Sequence, residues 1–288
     1  MIAEPLANAV QRALGARVTA ARRVSGGSIN ETFVIELEGR GSAFLKTHAK
    51  LAASVFADEA SGLEWLRETS TVNVPKVLAV AHEAPGFLLL QCVAPARGAP
   101  REGEERFGRA LAGMHRFGAP SFGLGRPNYL AILPQDNTPC DSWATFYRDR
   151  RLAPLLEKAR ARGLVSARLD RMMARLLERI DSLVGPVEPP ARLHGDLWGG
   201  NRIVGQDGES WLIDPAVYGG HREIDLAMMR LFGGFSEQVF AAYCEAFPLA
   251  QGHEARVPLH QLYPLLAHVV MFGGGYVSQV EEAAAALV

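Results

Sequence analysis

An acid at Asp196, an amide five positions on at Asn201, and a second acid thirteen positions further at Asp214 are the best-placed chemical groups in this chain of 288 residues. They sit in His194-Gly195-Asp196-Leu197-Trp198-Gly199-Gly200-Asn201 and in Ile213-Asp214-Pro215. Two carboxylates and a carboxamide offer oxygen, which is what a hard cation such as Mg²⁺ takes. The terminal phosphates of a nucleotide need such a cation, and an acceptor hydroxyl needs a carboxylate to orient it and receive its proton. An ordinary Asp titrates near ~3.9, so it accepts that proton late, in a loose transition state. The pattern therefore reads as phosphoryl transfer to an alcohol, with Asp196 as base and Asn201 and Asp214 as metal ligands. Taken singly, the parts have plainer readings: a His-Gly-Asp run can end a strand, and Asp-Pro commonly starts a turn.

These groups must be positioned. Ile203-Val204 and Trp211-Leu212-Ile213 flank Gly205-Gln206-Asp207-Gly208 and predict a hairpin. It would set Asn201 and Asp214 at neighbouring ends, within reach of one cation. Upstream, residues 5–15 predict a short amphipathic helix, and 17–24 and 31–38 two strands joined by Ser25-Gly26-Gly27-Ser28-Ile29-Asn30. A turn rich in Gly and Ser can lay backbone N–H groups of Gly26, Gly27 and Ser28 over phosphates. The full G-x-G-x-x-G spacing is absent, and glycine turns in hairpins are common. The next strand, 42–47, carries Lys46 on the face of Phe44. Lys46 is either an edge lysine facing water or a phosphate-binding lysine held by an acid. The acid would be Glu59. A helix from Ser54, read as its N-cap, to Leu66 has Val55, Phe56, Leu63 and Leu66 as its apolar stripe, and Glu59 points with them. An inward glutamate needs a cation partner. Strands at 74–80 and 87–91 follow, the second uninterrupted and therefore central. Cys92 to Gly98 breaks the pattern and marks a lobe junction, where the backbone of Gln91, Cys92 and Val93 could pair with an adenine edge. The expected division is a nucleotide-binding lobe at 1–91 and a catalytic and substrate-binding lobe at 92–288.

In the second part, 101–117 predicts a helix with Phe107, Leu111 and Met114 inward and a structural or surface His115. Residues 118–140 are rich in Gly, Pro and Asn and read as a long binding loop. Helices resume over 142–161 and 166–183, where Arg148, Arg150 and Arg151 read mainly as solvated faces, although an anionic-ligand role for one of them stays open. Glu223 and Asp225 precede an apolar helix, where carboxylates suit the N-terminal dipole. A second reading has Asp225 holding the catalytic loop through its backbone N–H groups. His253, His260 and His268 read as structural, without metal-ligand partners.

Lys+Arg is 30 against Asp+Glu 31, so no basic excess points to nucleic acid or an anionic membrane. Hydrophobic residues are 48% and charged residues 21%, which supports a sizeable core without disulfides. Three scattered cysteines, Cys92, Cys140 and Cys244, suggest a reducing compartment. The opening residues lack a secretory pattern and no apolar run reaches a membrane span, so a cytoplasmic location is expected.

With these residues in view, the chain resembles the fructosamine kinases, or ketosamine-3-kinases, relatives of the aminoglycoside phosphotransferases. The resemblance runs over nearly the whole chain. It is carried by Gly26 to Asn30, Leu133-Pro134-Gln135-Asp136-Asn137, His194 to Asn201, and the run from Tyr218 to Phe235 with His221-Arg222-Glu223-Ile224-Asp225-Leu226-Ala227-Met228. It implies an α+β, two-lobed protein-kinase-like fold, with a small antiparallel sheet in the first lobe and a mostly helical second lobe. It implies ATP and Mg²⁺ as cofactors, and transfer of the γ-phosphate to the 3-hydroxyl of a sugar joined to an amine, as a small molecule or a glycated protein lysine. Phosphate beside the ketone would replace a poor leaving group with a good one, so that the adduct falls apart and frees the amine. Residue by residue, Asp196 would be the base, Asn201 and Asp214 the metal ligands, and Lys46 with Glu59 the phosphate-holding pair. Gln91 to Val93 would frame the adenine, Trp198 would line the sugar, and Asn128, Tyr129 and Gln135 would form a substrate wall. A monomer or weak dimer is expected. Two departures stand out. Ser28 replaces a cysteine found in many members, so no redox switch is expected there. Gly200 replaces a common serine, which reads as a mild change. The alternatives are a kinase of another small alcohol, of aminoglycoside or choline type, and a nucleotide-binding protein without catalysis.

Overall fold

The strands expected before residue 92 form one antiparallel sheet. The computed structural model describes residues 2–24, 30–96, 98 and 100–288. Helix α1 (Glu4–Leu14) leads into strands β1 (Val18–Arg23), β2 (Glu31–Leu37) and β3 (Gly41–Thr47). Helix α2 (Ala53–Arg67) and strands β4 (Val77–Val80) and β5 (Phe87–Gln91) complete this lobe. The strand order is β1-β2-β3-β5-β4, so β5 is interior. Its run of apolar residues has a simple cause. Phe87 and Leu89 pack beneath α1 with Leu6, Val10, Ile35 and Leu45, while Leu88 and Leu90 pack against Phe56, Leu63 and Leu66 of α2. A strand buried on both faces needs no polar alternation.

Ser54 does not cap α2. The helix begins one residue earlier, at Ala53, and Ala52 caps it with no side-chain hydrogen bond. Ser142 and Ser166 are true caps, accepting from the N–H groups of Thr145 and Leu169.

The second lobe is mainly helical. Helix α3 (Arg101–Phe117) is followed by a hairpin of β6 (Asn128–Leu130) and β7 (Leu133–Gln135), so the expected long loop is partly strand. Then come α4 (Trp143–Phe146), a π-helical stretch (Tyr147–Leu152), α5 (Ala153–Ala161), α6 (Ala167–Glu178) and α7 (Ile180–Leu183). Strand β8 (Ala191–Leu193) pairs with β11 (Tyr218–Gly220), and between them β9 (Arg202–Val204) pairs with β10 (Ser210–Leu212) as the expected hairpin. Helices α8 (Glu223–Phe232), α9 (Glu237–Ala246), α10 (His253–Phe272) and α11 (Val277–Ala285) close the chain. No described helix is long and apolar enough to cross a membrane.

Arg151 corrects the reading of solvated arginines. It is 1% exposed, its guanidinium carbon lying 4.0 Å from the Tyr218 ring centre and 4.5 Å from that of Phe146. The π-helical stretch turns it inward, and aromatic faces take the place of solvent.

Candidate active site

Lys46 shares a sheet face with Phe44, the face that α2 covers. Its Nζ donates to Glu59 Oε1 at 2.7 Å and Oε2 at 2.8 Å, and to Asp214 Oδ1 at 2.9 Å. The Lys46 side chain is 3% exposed, whereas Asp214 keeps 41%. Burial alone would lower the lysine's pKa, but the charges of Asp214 and Glu59 outweigh it and raise it. The ammonium is therefore fixed in its charged form.

The second group is built by a tight loop. After β8, Gly195 has φ +81°, and a Cβ there would lie 2.1 Å from the Ala216 carbonyl oxygen, so glycine is required. Asn201 ends a short 3₁₀ turn (Gly199–Asn201), and its Nδ2 donates to the Asp196 carbonyl at 2.8 Å and to Asp196 Oδ2 at 2.9 Å. The Ile213 N–H donates to the Asn201 carbonyl at 3.0 Å, which brings Asp214 beside Asn201. Asp214 itself has φ +55°, an uncommon conformation for a residue with a Cβ. It turns the chain sharply after β10 and aims the carboxylate back at Lys46.

Burial raises the Asp196 carboxyl to about 7; the Asn201 hydrogen bond opposes this, and the charges of Asp214 and Asp225 add to it. The loop is held from behind by Asp225, whose Oδ2 accepts from the His194 N–H at 2.8 Å and Oδ1 from the Gly195 N–H at 2.9 Å. This is the second of the two readings of Asp225, in place of a plain helix-dipole role. His115 Nε2 lies 3.2 Å from Asp225 Oδ2, and its Nδ1 is 2.8 Å from the Tyr243 hydroxyl, so His115 is structural. His194 is fully buried; its Nδ1 accepts from the Asp196 N–H at 3.3 Å, which leaves Nε2 to donate to the Ile213 carbonyl at 2.9 Å. Burial lowers its pKa, in keeping with this neutral tautomer.

Other expected residues fall into three groups. Gly26, Gly27 and Ser28 lie outside the described residues. Gln91 ends β5, its N–H bonded to the Lys76 carbonyl at 2.8 Å, and Cys92 and Val93 follow it, half-buried. Trp198 is 41% exposed beside the Asp196 loop, edge-on to Phe232. Its indole folds over Gly200, where a Cβ would come within 2.2 Å of the ring. A side chain at 200 would require the far end of this exposed indole to move aside. Asn128 and Gln135 are buried, a placement different from a substrate wall. Asn128 Nδ2 donates to the Val217 carbonyl at 2.8 Å, and Gln135 Nε2 donates to Asn128 Oδ1 at 3.0 Å. With these amides occupied by protein, the pair steadies the segment after Asp214; Tyr129 between them is half-buried.

His260 is not without potential ligand partners: His221, Glu223 and His260 place ligand atoms within 4.8 Å of one another. Arg256 forks onto Glu223, and Arg222 forks onto Glu188 beside His221, so both carboxylates there are already neutralised. The cluster braces the start of α8, the helix that carries Asp225.

The whole chain answers to one family. Residues 2–288 match the model of the fructosamine kinase family. This protein belongs to the fructosamine kinase family. A probable ketoamine kinase of Enterococcus faecium is 38% identical over 261 residues, covering 90% of this chain and 92% of its own. The crystal structure of a Thermobifida fusca protein assigned to fructosamine-3-kinase superposes with a TM-score of 0.91 at 39% identity, covering 99% of both chains. The fold reaches further: an aminoglycoside phosphotransferase solved with AMP-PNP and hygromycin B gives a TM-score of 0.65 at 13% identity, over 99% of both chains. The fructosamine kinase chain thus has the two-lobed α+β protein-kinase-like fold.

Proposed function

We propose that this kinase moves the γ-phosphate of ATP to the 3-hydroxyl of a ketosamine, a ketose joined through its first carbon to an amine. The observation that carries this reading is the convergence of Lys46, Glu59, Asp196, Asn201 and Asp214, within a chain of the fructosamine kinase family. Residues 1–91 hold the nucleotide and 92–288 supply the catalytic loop and acceptor site. Gln91 to Val93 border the adenine, and Lys46, oriented by Glu59, binds phosphate oxygens. Gly26, Gly27 and Ser28 cover the phosphates.

The donor set suits magnesium. Asn201 Nδ2 is occupied by Asp196, which leaves Oδ1 for a cation, and Asp214 is the most open of the carboxylates around Lys46. Magnesium, when bound there, neutralises charge on the transferring phosphoryl group. Asp196 orients the acceptor hydroxyl and takes its proton as the new bond forms. Trp198 gives the sugar ring an apolar face to lie on, with Tyr129 on the hairpin side. Reaction with a free ketosamine and with a glycated lysine on a protein use the same chemistry, in the reducing compartment that three free cysteines suit.

The test is ATP consumption against ribosylated, erythrosylated and fructosylated lysine, with the phosphorylated carbon identified by NMR. Phosphate on carbon 3 of at least one supports the reading. Turnover only with aminoglycosides or choline sinks it, and no turnover with any alcohol favours a binding protein.

A further inference from the structure

A cavity of about 680 Å³ lies between the β6–β7 hairpin and the π-helical stretch with α5, and Tyr263 of α10 forms part of its wall. That is the size of a small-molecule site. Its apolar surface comes from Leu133, Pro134, Pro154 and Leu155. Its charged lining is unequal: four cations, Arg126, Arg150, Arg151 and Lys158, face two acids, Asp136 and Asp149.

Both acids already have partners. Arg150 holds Asp136 at 2.8 Å, and Arg148 holds Asp149 through both oxygens. Two of the cations have no carboxylate partner among the described residues. Arg151, although buried, bonds only neutral oxygens, Asn137 Oδ1 at 2.6 Å and the carbonyls of Asp136 and Arg150. Lys158 makes no ion pair among the described residues. The Nε–H groups of Arg150 and Arg151 are buried and meet no nitrogen or oxygen acceptor among the described residues, the Cys140 thiol being a weak neighbour of Arg150. Aromatic faces cover part of the Arg151 charge and Lys158 is exposed, so the cost falls mainly on the buried Nε–H donors without an acceptor. An anion supplies that acceptor.

We propose that this cavity binds a small organic anion, a phosphate or carboxylate on an apolar body, at a site separate from phosphoryl transfer. The terminal nitrogens of Arg151 are taken by protein oxygens, so its Nε–H and that of Arg150 are the donors left for an oxyanion. The prolines and leucines take the apolar part. The site is wired to both halves of the active centre. Arg126 bonds Asp58 at 3.0 Å, next in sequence to Glu59. Tyr263 donates to Gln135 at 2.5 Å, and Gln135 reaches the Ala216 carbonyl at 3.5 Å, two residues beyond Asp214. An occupant therefore alters turnover without occupying the place of ATP or acceptor.

The experiment is calorimetric titration of the full chain, with its nucleotide cleft saturated by Mg²⁺ and AMP-PNP, using phenyl phosphate, benzoate and neutral benzyl alcohol. The expected result is binding of at least one anion at a single site and none of the alcohol; the two anions separate a phosphate-selective site from a carboxylate-selective one. Lys158→Glu and Arg150→Gln lie on the cavity rim and should weaken binding about tenfold, roughly 1.4 kcal/mol, with turnover in the absence of the anion unchanged. In steady-state assays the anion should inhibit or activate non-competitively. No binding at millimolar anion, equal affinity in both variants, or competition with ATP or acceptor overturns the proposal. These outcomes are read apart from acceptor identity, since the calorimetry needs no turnover.

Discussion

Lys46 and Asp196 are ionisable groups in one site, and burial acts on them with opposite results. Lys46 sits between two carboxylates, and their attraction exceeds the desolvation penalty, so it stays charged. Asp196 has one neutral amide for company and two other acids nearby, so its proton is held up to about 7. The difference lies in the partners more than in burial, since Lys46 is buried and Asp196 is half-buried. One group is a fixed electrostatic post. The other is poised to exchange a proton near neutral pH, which is what a general base must do.

Removing each group should separate the two cases. Asp196→Asn should lower turnover by roughly 10²–10⁴ while nucleotide binding is kept. The same substitution should raise stability at pH 8. The folded carboxyl titrates above its unfolded value, so a penalty on the charged form accumulates as pH rises from about 4 to about 7. The gain in Tm should therefore shrink towards pH 4; a loss of stability at pH 8 would break the contrast with Lys46. Lys46→Met should do the reverse and destabilise by about 3–5 kcal/mol, because it leaves carboxylates facing each other. Adding Glu59→Gln should recover part of that loss, read as Tm. Asp225→Ala removes two charge-assisted bonds to the loop, about 1.5–3 kcal/mol each. It should cut kcat well before it changes the KM for ATP, and equal changes in both would deny its loop-holding role. The smallest effect is the pH profile. The log of kcat/KM should rise with unit slope to a bend near 7, the value of the Asp196 carboxyl, and a bend near 4 would mean that bound magnesium has cancelled the shift.

The convergence of the candidate site was legible because its parts are local. Asp196, Asn201 and Asp214 lie on one loop and one hairpin, and periodicity sufficed to turn Lys46 and Glu59 towards each other. What stayed hidden depends on long-range packing. Nothing near Arg151 announces that Tyr218 and Tyr263, far along the chain, will bury it. Asp225 could be read only as one of two options until β8 was placed over the start of α8. His221 and His260 meet only once α10 crosses that end, with ring centres 5.4 Å apart. Ser54 shows the opposite failure: a residue of the right type stood one position inside the helix, and the backbone began α2 without it.

Position 200 sets where the proposed sugar platform, Trp198, can lie. A hydrogen atom there is all that lets the Trp198 ring lie back across its own loop. Any larger group pushes the ring outward, and with it the floor on which an acceptor would rest. On the proposed reading, selectivity among sugars of different length would change through a residue that never meets the sugar, with Asp196 and Asp214 left where they are.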